Sequence, residues 1–571
     1  MDLKTKKHVL FMIALVFMLV LSACSSGGGS STGTTSGEGS GTESDTETGT
    51  TDNGGSEKKS DEGKEKMKPQ YGGNLVVAST GSPTLFNPYY SQDTASGDVG
   101  GFMYNSLVTI DKEFNPVPDL AKSWEKSEDG LTWTFHLRED VKWHDGKPFT
   151  AEDVVFSYNI PRSEDYTGPR ASSFEIIKSI KAVDKYTVKI QLSEPYAPFL
   201  IDTCSYGILP KHILGDVPIA KMGKVDFNTK HPIGTGPYKF VEWKDGQYVK
   251  LKANEDYFEG KPYIDTLTYK IIPDANSILA QFKAGQVDYI GVQPQDIQTV
   301  QAMVEQGQAE TKQTVALSYT YMGYNLKLPM FQDKKVRQAL TMAIDRKKLV
   351  KAVLNGQGTV ANAPGSPLSW AFNEDVPTFP YNPEKAKKLL SEAGWKDTDG
   401  DGIREKNGKE FSFVLKTNQG NRTRKQTATV IQQYLKEVGV KVEPKIVEWS
   451  AFIQQVTVKH DFEAVILGWA LGIDPDPSDL WSCDEIEKGL NFVAYCNKEI
   501  EPLMEKNSKI IDRDKRAKVI GKIMAQIAED QPYTFLYYPK DTIAYNPKLQ
   551  NVQQHARIAY YHINEWWIKQ K

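Results

Sequence analysis

Asp397-Thr-Asp399-Gly-Asp401-Gly-Ile403-Arg-Glu405 places three carboxylates at every second position, with glycines between and after them. Calcium takes six to eight oxygen ligands, and this spacing is that of the first half of an EF-hand loop. The position where such a loop needs a bidentate glutamate is Gly408. The same residues also read as an Asp-Gly hairpin turn between Trp395 and a strand from Glu410 to Lys416. Any calcium held by Asp397, Asp399 and Asp401 is therefore expected to be structural. Catalytic constellations are harder to find. There is no HExxH, no G-x-S-x-G elbow in the folded part and no phosphate loop. The 8 histidines are scattered. His144, in Trp143-His144-Asp145-Gly146, is the most tempting base, but it reads better as a turn histidine beside a strand end. No enzyme is expected.

A second reactive group is Cys24, in Leu21-Ser22-Ala23-Cys24. Lys4, Lys6 and Lys7 precede an apolar run from Val9 to Leu21, which is shorter than the ~20 residues that span a bilayer core. Residues 1–23 therefore read as a signal peptide. The cysteine after small residues resembles a bacterial lipoprotein signal, in which Cys24 is lipidated (with palmitate among the acyl chains) and becomes the first mature residue. From Ser25 to Lys66 there is no aromatic or aliphatic side chain. Such a stretch cannot offset its ordering entropy, so residues 24–70 are expected to be a disordered tether with a reach of roughly 35 Å.

The compartment this implies is oxidising, which bears on the other cysteines. Cys483 and Cys496, flanked by Trp481 and Tyr495, could close a short loop. That disulfide would be worth roughly 3 kcal/mol in the chain-entropy model. Cys204 is left unpaired and is expected to be buried. No histidine lies between His460 and His555, which argues against a Cys–His metal site.

The elements that position these residues mix two periodicities. The part from Tyr71 onward is too long for one core and implies two or three domains. A net charge of -4 with both signs interspersed gives no sign of nucleic acid or an anionic surface as the main partner. An aromatic content of 11% fits aromatic-lined clefts as well as cores. Leu131, Trp133, Phe135 and Leu137 alternate with polar residues and predict a half-buried strand. Thr187–Leu192 and Tyr248–Leu251 read alike. Val336, Leu340, Ala343 and Ile344 share a face of a helix over 333–354. Asn382-Pro383 is a helix start and Gly394 a stop. Val430, Ile431, Tyr434, Leu435 and Val438 mark a further helix, ended by Gly439 and followed by an extended segment, Val440 to Val447. Helix, glycine, strand is an α/β unit.

The run from Ala121 to Trp143, AKSWEKSEDGLTWTFHLREDVKW, and its continuation through His144-Asp-Gly-Lys-Pro-Phe-Thr-Ala-Glu-Asp-Val-Val155 resemble the signature of the family 5 extracellular solute-binding proteins. Gly234-Thr-Gly-Pro-Tyr238, Asn254-Glu-Asp-Tyr-Phe258, Gly394-Trp395 and Gly468-Trp469 extend the resemblance in order along the chain. It implies an α/β, two-lobed, periplasmic-binding-protein-like fold (type II, cluster C) with an inserted domain and a hinge. Lobe I would comprise 71–104, 233–313 and 536–571, the inserted domain II 105–232, and the other lobe, lobe III, 314–535. Crossings near Tyr321–Asn325 and Tyr533–Pro539 would form the hinge.

The resemblance also implies a function. A monomeric receptor would capture an oligopeptide by closing its hinge and deliver it to the permease of an ABC importer. It would work at the outer face of the cytoplasmic membrane, tethered through the lipid on Cys24, in a bacterium with a single membrane (Gram-positive). By the same resemblance Trp449 and Trp469 would line the cleft, and Thr80, Gly81 and Ser82 would approach the ligand backbone. The aspartate that holds a peptide's amine in this family is replaced here by Gly472, with Asp474 and Asp476 the nearest substitutes. The loop 355–380, with Trp370, would fill or border the pocket. A nickel chelate, haem or an oligosaccharide stays open as the ligand, and so does a sensor that binds peptides without import. The histidine gap speaks against histidine-assisted nickel.

Overall fold

The computed structural model describes residues 68–570. Cys24 and most of the tether lie outside them. The described chain is built on a long mixed sheet. Its strands run in the order Lys441–Val447, Ser412–Asn418, Ala464–Ala470, Ser318–Tyr324, Tyr533–Tyr545, Tyr289–Val292, Asn74–Ser79, Thr266–Ile271, Tyr248–Ala253, Tyr238–Lys244. Glu310–Val315 and Gly358–Val360 also pair with Tyr533–Tyr545.

The strand Tyr533–Tyr545 joins the two halves. Its first part pairs with Gly323 to Thr320, and its last part, Thr542 to Tyr545, pairs with Val292 to Tyr289. Apolar residues gather separately on either side of it. One core takes residues from Leu75 to Tyr289 together with Ile543 to Trp566. Two more clusters take residues from Tyr319 to Tyr538. Separate cores linked by a shared strand are what two lobes require, because each half then buries its own apolar surface. The other crossing falls between Val315 and Ser318. Ser318–Tyr324 is paired along its whole length with Ala464–Ala470, so Tyr321 to Tyr324 lie within a sheet, as Tyr533 to Tyr537 do.

A separate four-stranded antiparallel sheet has the order Ala121–Lys126, Thr132–Leu137, Thr187–Leu192, Ile177–Asp184. Trp133, Phe135 and Leu137 are buried and alternate with half-buried neighbours, as the period of two predicts. The helix Ala151–Asn159 packs against this sheet. Its start is fixed by the buried Asp153, which accepts from the backbone of Thr150 at 2.9 Å and of Lys211 at 3.0 Å.

Local expectations hold with shifted bounds. The helix Pro383–Glu392 starts on Asn382, whose side chain accepts from Lys385 N, and Gly394 follows it at φ +90°. Arg422–Lys436 is the helix before Gly439 (φ +81°), and the strand after it is Lys441–Val447. The predicted strand near Glu410 to Lys416 is Ser412–Asn418. The helix expected over 333–354 is two, Lys334–Met342 and Arg346–Leu354. Asp345 caps the second by accepting from Lys348 N at 3.0 Å, so the chain restarts there, although the apolar face runs on through buried Val336, Leu340, Ala343 and Ile344.

Candidate ligand-binding site

Parallel strands end together on one edge of each half of the sheet. Asn74–Ser79 runs parallel to Thr266–Ile271 and Tyr289–Val292. Ser412–Asn418 runs parallel to Lys441–Val447 and Ala464–Ala470. In open α/β sheets ligands sit outside the carboxyl ends of such strands. Thr80, Gly81 and Ser82 follow the end of Asn74–Ser79, Trp449 follows Lys441–Val447, and Trp469 is the penultimate residue of Ala464–Ala470. The residues singled out on both lobes therefore stand at strand ends of this kind.

The loop from Thr80 is anchored from behind. Gly81 N donates to Ser79 Oγ at 3.1 Å, and Thr84 donates from its hydroxyl to Asp93 at 2.7 Å and from its backbone to Ser96 Oγ at 2.8 Å. Burial alone would raise the Asp93 carboxyl, but hydrogen bonds from Ser96 and Thr84 outweigh it and hold the group below its ordinary range. A Cβ at Gly81 would come within 3.3 Å of Ala95 Cβ, so glycine lets the loop lie close on the helix Thr94–Met103. Thr80 and Ser82 are left exposed.

Aromatic rings gather at the strand ends of the other lobe. Trp469 is half-buried, stacks near Tyr321 with centroids 6.3 Å apart, and donates from Nε1 to Tyr533 Oη at 3.3 Å. Tyr321 lies on Tyr533 at 3.8 Å and 6°. Trp449 opens the short helix Trp449–Ile453, is 48% exposed, and stacks only loosely on Phe452 at 6.2 Å. Trp449 thus has a free ring face, whereas Trp469 is already fixed by neighbours.

Arg424 was not legible in the sequence as a site residue. It lies in the first turn of Arg422–Lys436, directly after the strand end at Asn418. A cation there opposes the helix dipole, by ~0.3–1 kcal/mol. Its Nη1 donates to Asn418 Oδ1 at 2.9 Å, and its Nη2 lies 3.3 Å from where a Cβ on Gly468 would stand. Burial depresses its pKa, and the titratable groups beside it among the described residues are the phenols of Tyr537 and Tyr321, neutral near pH 7, and not a carboxylate. The signal that could have found it is a basic residue three positions after an Asn N-cap that follows a strand.

Asp474 and Asp476 are differently placed from the expected amine partners. Arg516, 2% exposed, forks onto Asp474, with Nη2 to Oδ1 at 2.6 Å and Nη1 to Oδ2, and reaches Asp476 Oδ2 at 3.4 Å. Asp474 Oδ1 also accepts from Asp476 N at 3.1 Å, and Asp476 Oδ1 from Ser478 N at 2.9 Å. Their charge thus fastens the Asp-Pro-Asp-Pro turn to the helix Arg513–Asp530. The lone proline-rich turn in the sequence gave no sign of its distant arginine. Trp370 lies under Arg513 and Arg516, its ring 4.9 Å and 5.8 Å from the two guanidinium carbons.

In the acidic loop Glu405 joins Asp397, Asp399 and Asp401, with one carboxylate oxygen of each within 4.8 Å of the others. Asp397 accepts from Gly400 N at 2.7 Å and Gly402 N at 3.1 Å, and Glu405 Oε2 from Thr398 N at 2.8 Å. Glu405 Oε1 is buried with no protein partner among the described residues. Cys483 is bonded to Cys496, and Cys204 is free and buried. His144 is a structural residue. Its Nε2 faces Gly236 O at 3.0 Å while its Nδ1 accepts from Gly234 N at 3.2 Å, which fixes one neutral tautomer. Burial lowers its pKa to about 4. The same bonds explain the Gly234–Tyr238 motif. A Cβ at Gly234 would overlap Met103 O, so this segment must lie flat on the end of the helix Thr94–Met103.

Two α/β lobes that share a strand, each with parallel strands ending on one edge, define a receptor of the two-lobed solute-binding class. Comparison with known proteins agrees. Residues 115–486 match the model of the bacterial extracellular solute-binding proteins, family 5 Middle. The chain is 45% identical over 572 residues to the oligopeptide-binding protein AppA of Bacillus subtilis, covering 99% of this chain and 100% of that one. The structure of that protein in complex with a nonapeptide superposes with a TM-score of 0.73, at 48% identity over 88% of this chain and 100% of the other. NikZ of Campylobacter jejuni in complex with Ni(L-His) gives a TM-score of 0.73 at 30% identity, over 86% and 99% of the two chains. This chain belongs to family 5 of the bacterial extracellular solute-binding proteins. It is an extracytoplasmic binding protein, not an enzyme.

Proposed function

We propose that this protein captures oligopeptides in the cleft between its lobes and hands them to the permease of an ABC importer. The observation that carries the reading is identity of 45% along essentially the whole chain to an oligopeptide-binding protein, a relative whose structure holds a nonapeptide. The geometry fits. Exposed backbone at Thr80–Ser82 suits an extended ligand taken up as an added strand, with Trp449 and Trp469 beside its side chains. Arg424 suits a carboxylate of the ligand. Contacts to both lobes stabilise the closed form, and the permease would read that form. The lobes are read as 71–104, 233–313 and 536–571 against 314–535, with 105–232 inserted. A micromolar ligand corresponds to about −8 kcal/mol, within reach of a few backbone hydrogen bonds and two buried indoles. Native mass spectrometry of the purified protein, followed by titration with a synthetic nonapeptide, tests this. Co-purified peptides and micromolar binding are expected, and a saturating sugar or metal chelate with no peptide affinity would overturn it.

The finer placement follows from the first residues of the chain. Cys24 carries the lipid, and residues 24–70 tether the receptor to the outer face of the cytoplasmic membrane of a Gram-positive cell, where a monomer stays near its permease. Cys24→Ser should release the protein into the medium and abolish incorporation of labelled palmitate. The loop Asp397, Asp399, Asp401 and Glu405 is read as a structural calcium site, since four carboxylates crowd together and a buried Glu405 oxygen lacks a protein partner. Calcium should raise the melting temperature of the wild type and leave that of Asp399→Asn unchanged. An equal response in both would remove the site.

A further inference from the structure

The unit built on the four-stranded sheet meets the opposite lobe at the turn between the helices Glu501–Asn507 and Arg513–Asp530. Ala197 N donates to Ser508 O at 2.8 Å, a backbone bond between segments 311 residues apart by subtraction of their numbers. Beside it Lys509 Nζ meets Glu194 Oε2 at 2.9 Å. Arg513 donates to Asn115 Oδ1 and, at 3.2 Å, to Glu113 O. Its guanidinium also lies over Trp370, so one side chain ties the inserted unit to two segments of the second lobe. Gly130 is fitted to the same turn, since a Cβ there would run into Ile511. Behind these polar contacts Phe114 and Ile110 share an apolar cluster with Leu317, which sits at the crossing between lobes, and with Leu471 and Ile473.

We propose that the inserted domain is a latch: its edges at 113–115, 130 and 194–197 grip the 508–513 turn and hold the cleft closed. The proposal rests on the reading of a receptor that works by lobe closure, and adds a role for residues outside the ligand site. None of the latch residues stands at the strand ends that face the ligand, so the latch sets how long the closed form lasts and not what is bound. On the same edge Tyr196 Oη donates to Asp202 Oδ2 at 2.8 Å, which holds the 194–202 segment together.

Spin labels on Lys181→Cys and Lys522→Cys, both exposed, report the separation of the two jaws in the otherwise intact protein. Distances are measured without ligand and with a synthetic alanine-rich nonapeptide. Arg513→Ala and Glu194→Lys should each reduce the short-distance population about three- to tenfold in the condition where the wild type shows it. Glu194→Lys combined with Lys509→Glu should restore it. Unchanged populations in both single variants, or a charge swap no better than Glu194→Lys alone, would overturn the latch. A nonapeptide that shifts no population in the wild type, while the variants still differ from it, counts against peptide capture and in favour of the latch.

Discussion

Individual side chains divide into those that hold the fold and those with bonding capacity left over. His144 belongs to the first group. Both ring nitrogens are used on the backbone of Gly234 and Gly236, and its native pKa of about 4 lies below the ordinary value of 6.5. The unfolded chain therefore binds the proton first as the solution is acidified. The stabilisation is fully present above about pH 6.5 and is lost as the pH falls toward 4, amounting to about 3 kcal/mol. Chemical denaturation of the wild type and His144→Gln across pH 7.5 to 4.5 should show the gap between them narrowing with acid. Arg424 belongs to the second group. Among the described residues its one side-chain hydrogen bond goes to Asn418, and it stands where a cation is disfavoured by the helix. Arg424→Met should weaken nonapeptide binding about tenfold in calorimetry while the melting temperature stays the same or rises. A C-terminally amidated peptide should be insensitive to the change if the arginine holds that carboxylate.

Secondary elements decide which residues meet. The strand ends at Ser79, Asn418 and Val447 and the end of Ala464–Ala470 collect residues from four distant stretches of sequence on cleft edges. Each connection is short and starts with a defined device, as in Asn421 capping Arg422–Lys436 by accepting from Arg424 N at 2.9 Å. Near the cleft, the helix Ser478–Trp481 and the segment to Cys496 form a small irregular stretch with little regular structure of its own. The disulfide Cys483–Cys496 and the buried Asn491, which donates to Ser482 O and Tyr495 O at 2.9 and 2.7 Å, close it. Reduction, or Cys483→Ala with Cys496→Ala, should cost roughly 3 kcal/mol in urea unfolding. Since Trp481 packs on Tyr533 at 4.7 Å, which in turn holds Trp469, the same variant should also slacken the aromatic wall and lower ligand affinity.

At the scale of the whole molecule, the shared strand Tyr533–Tyr545 and the link from Val315 to Ser318 let two cores move as bodies without either being opened. Ligand binding should therefore compact the protein without changing its secondary structure. Small-angle scattering with saturating nonapeptide should show a smaller radius of gyration, and circular dichroism no change. At a ligand concentration 100 times Kd the stability gain should approach about 2.7 kcal/mol in thermal unfolding. A rise in melting temperature with no compaction would mean that the peptide binds one lobe alone.

The sequence by itself determined the local devices, because they depend on neighbours a few residues away. Thr132–Leu137 alternates, Asn382-Pro383 opens a helix and Gly439 ends one, and each is visible in the order of side chains. The ordered motifs also determined the family, and with it the two-lobed fold, as well as the candidate edge residues Thr80 to Ser82, Trp449 and Trp469. Periodicity could not show that Arg516 consumes Asp474, that Arg424 is left without a carboxylate, or that the inserted domain meets Ser508 to Arg513. The pairings Arg516–Asp474 and Arg513–Asn115 join residues 42 and 398 positions apart, and local sequence sets no preference among such partners. Only the packing of two cores about one strand chose them. Burial then fixed their chemistry: among the described residues the tertiary structure gave Arg516 two aspartates and Arg424 none.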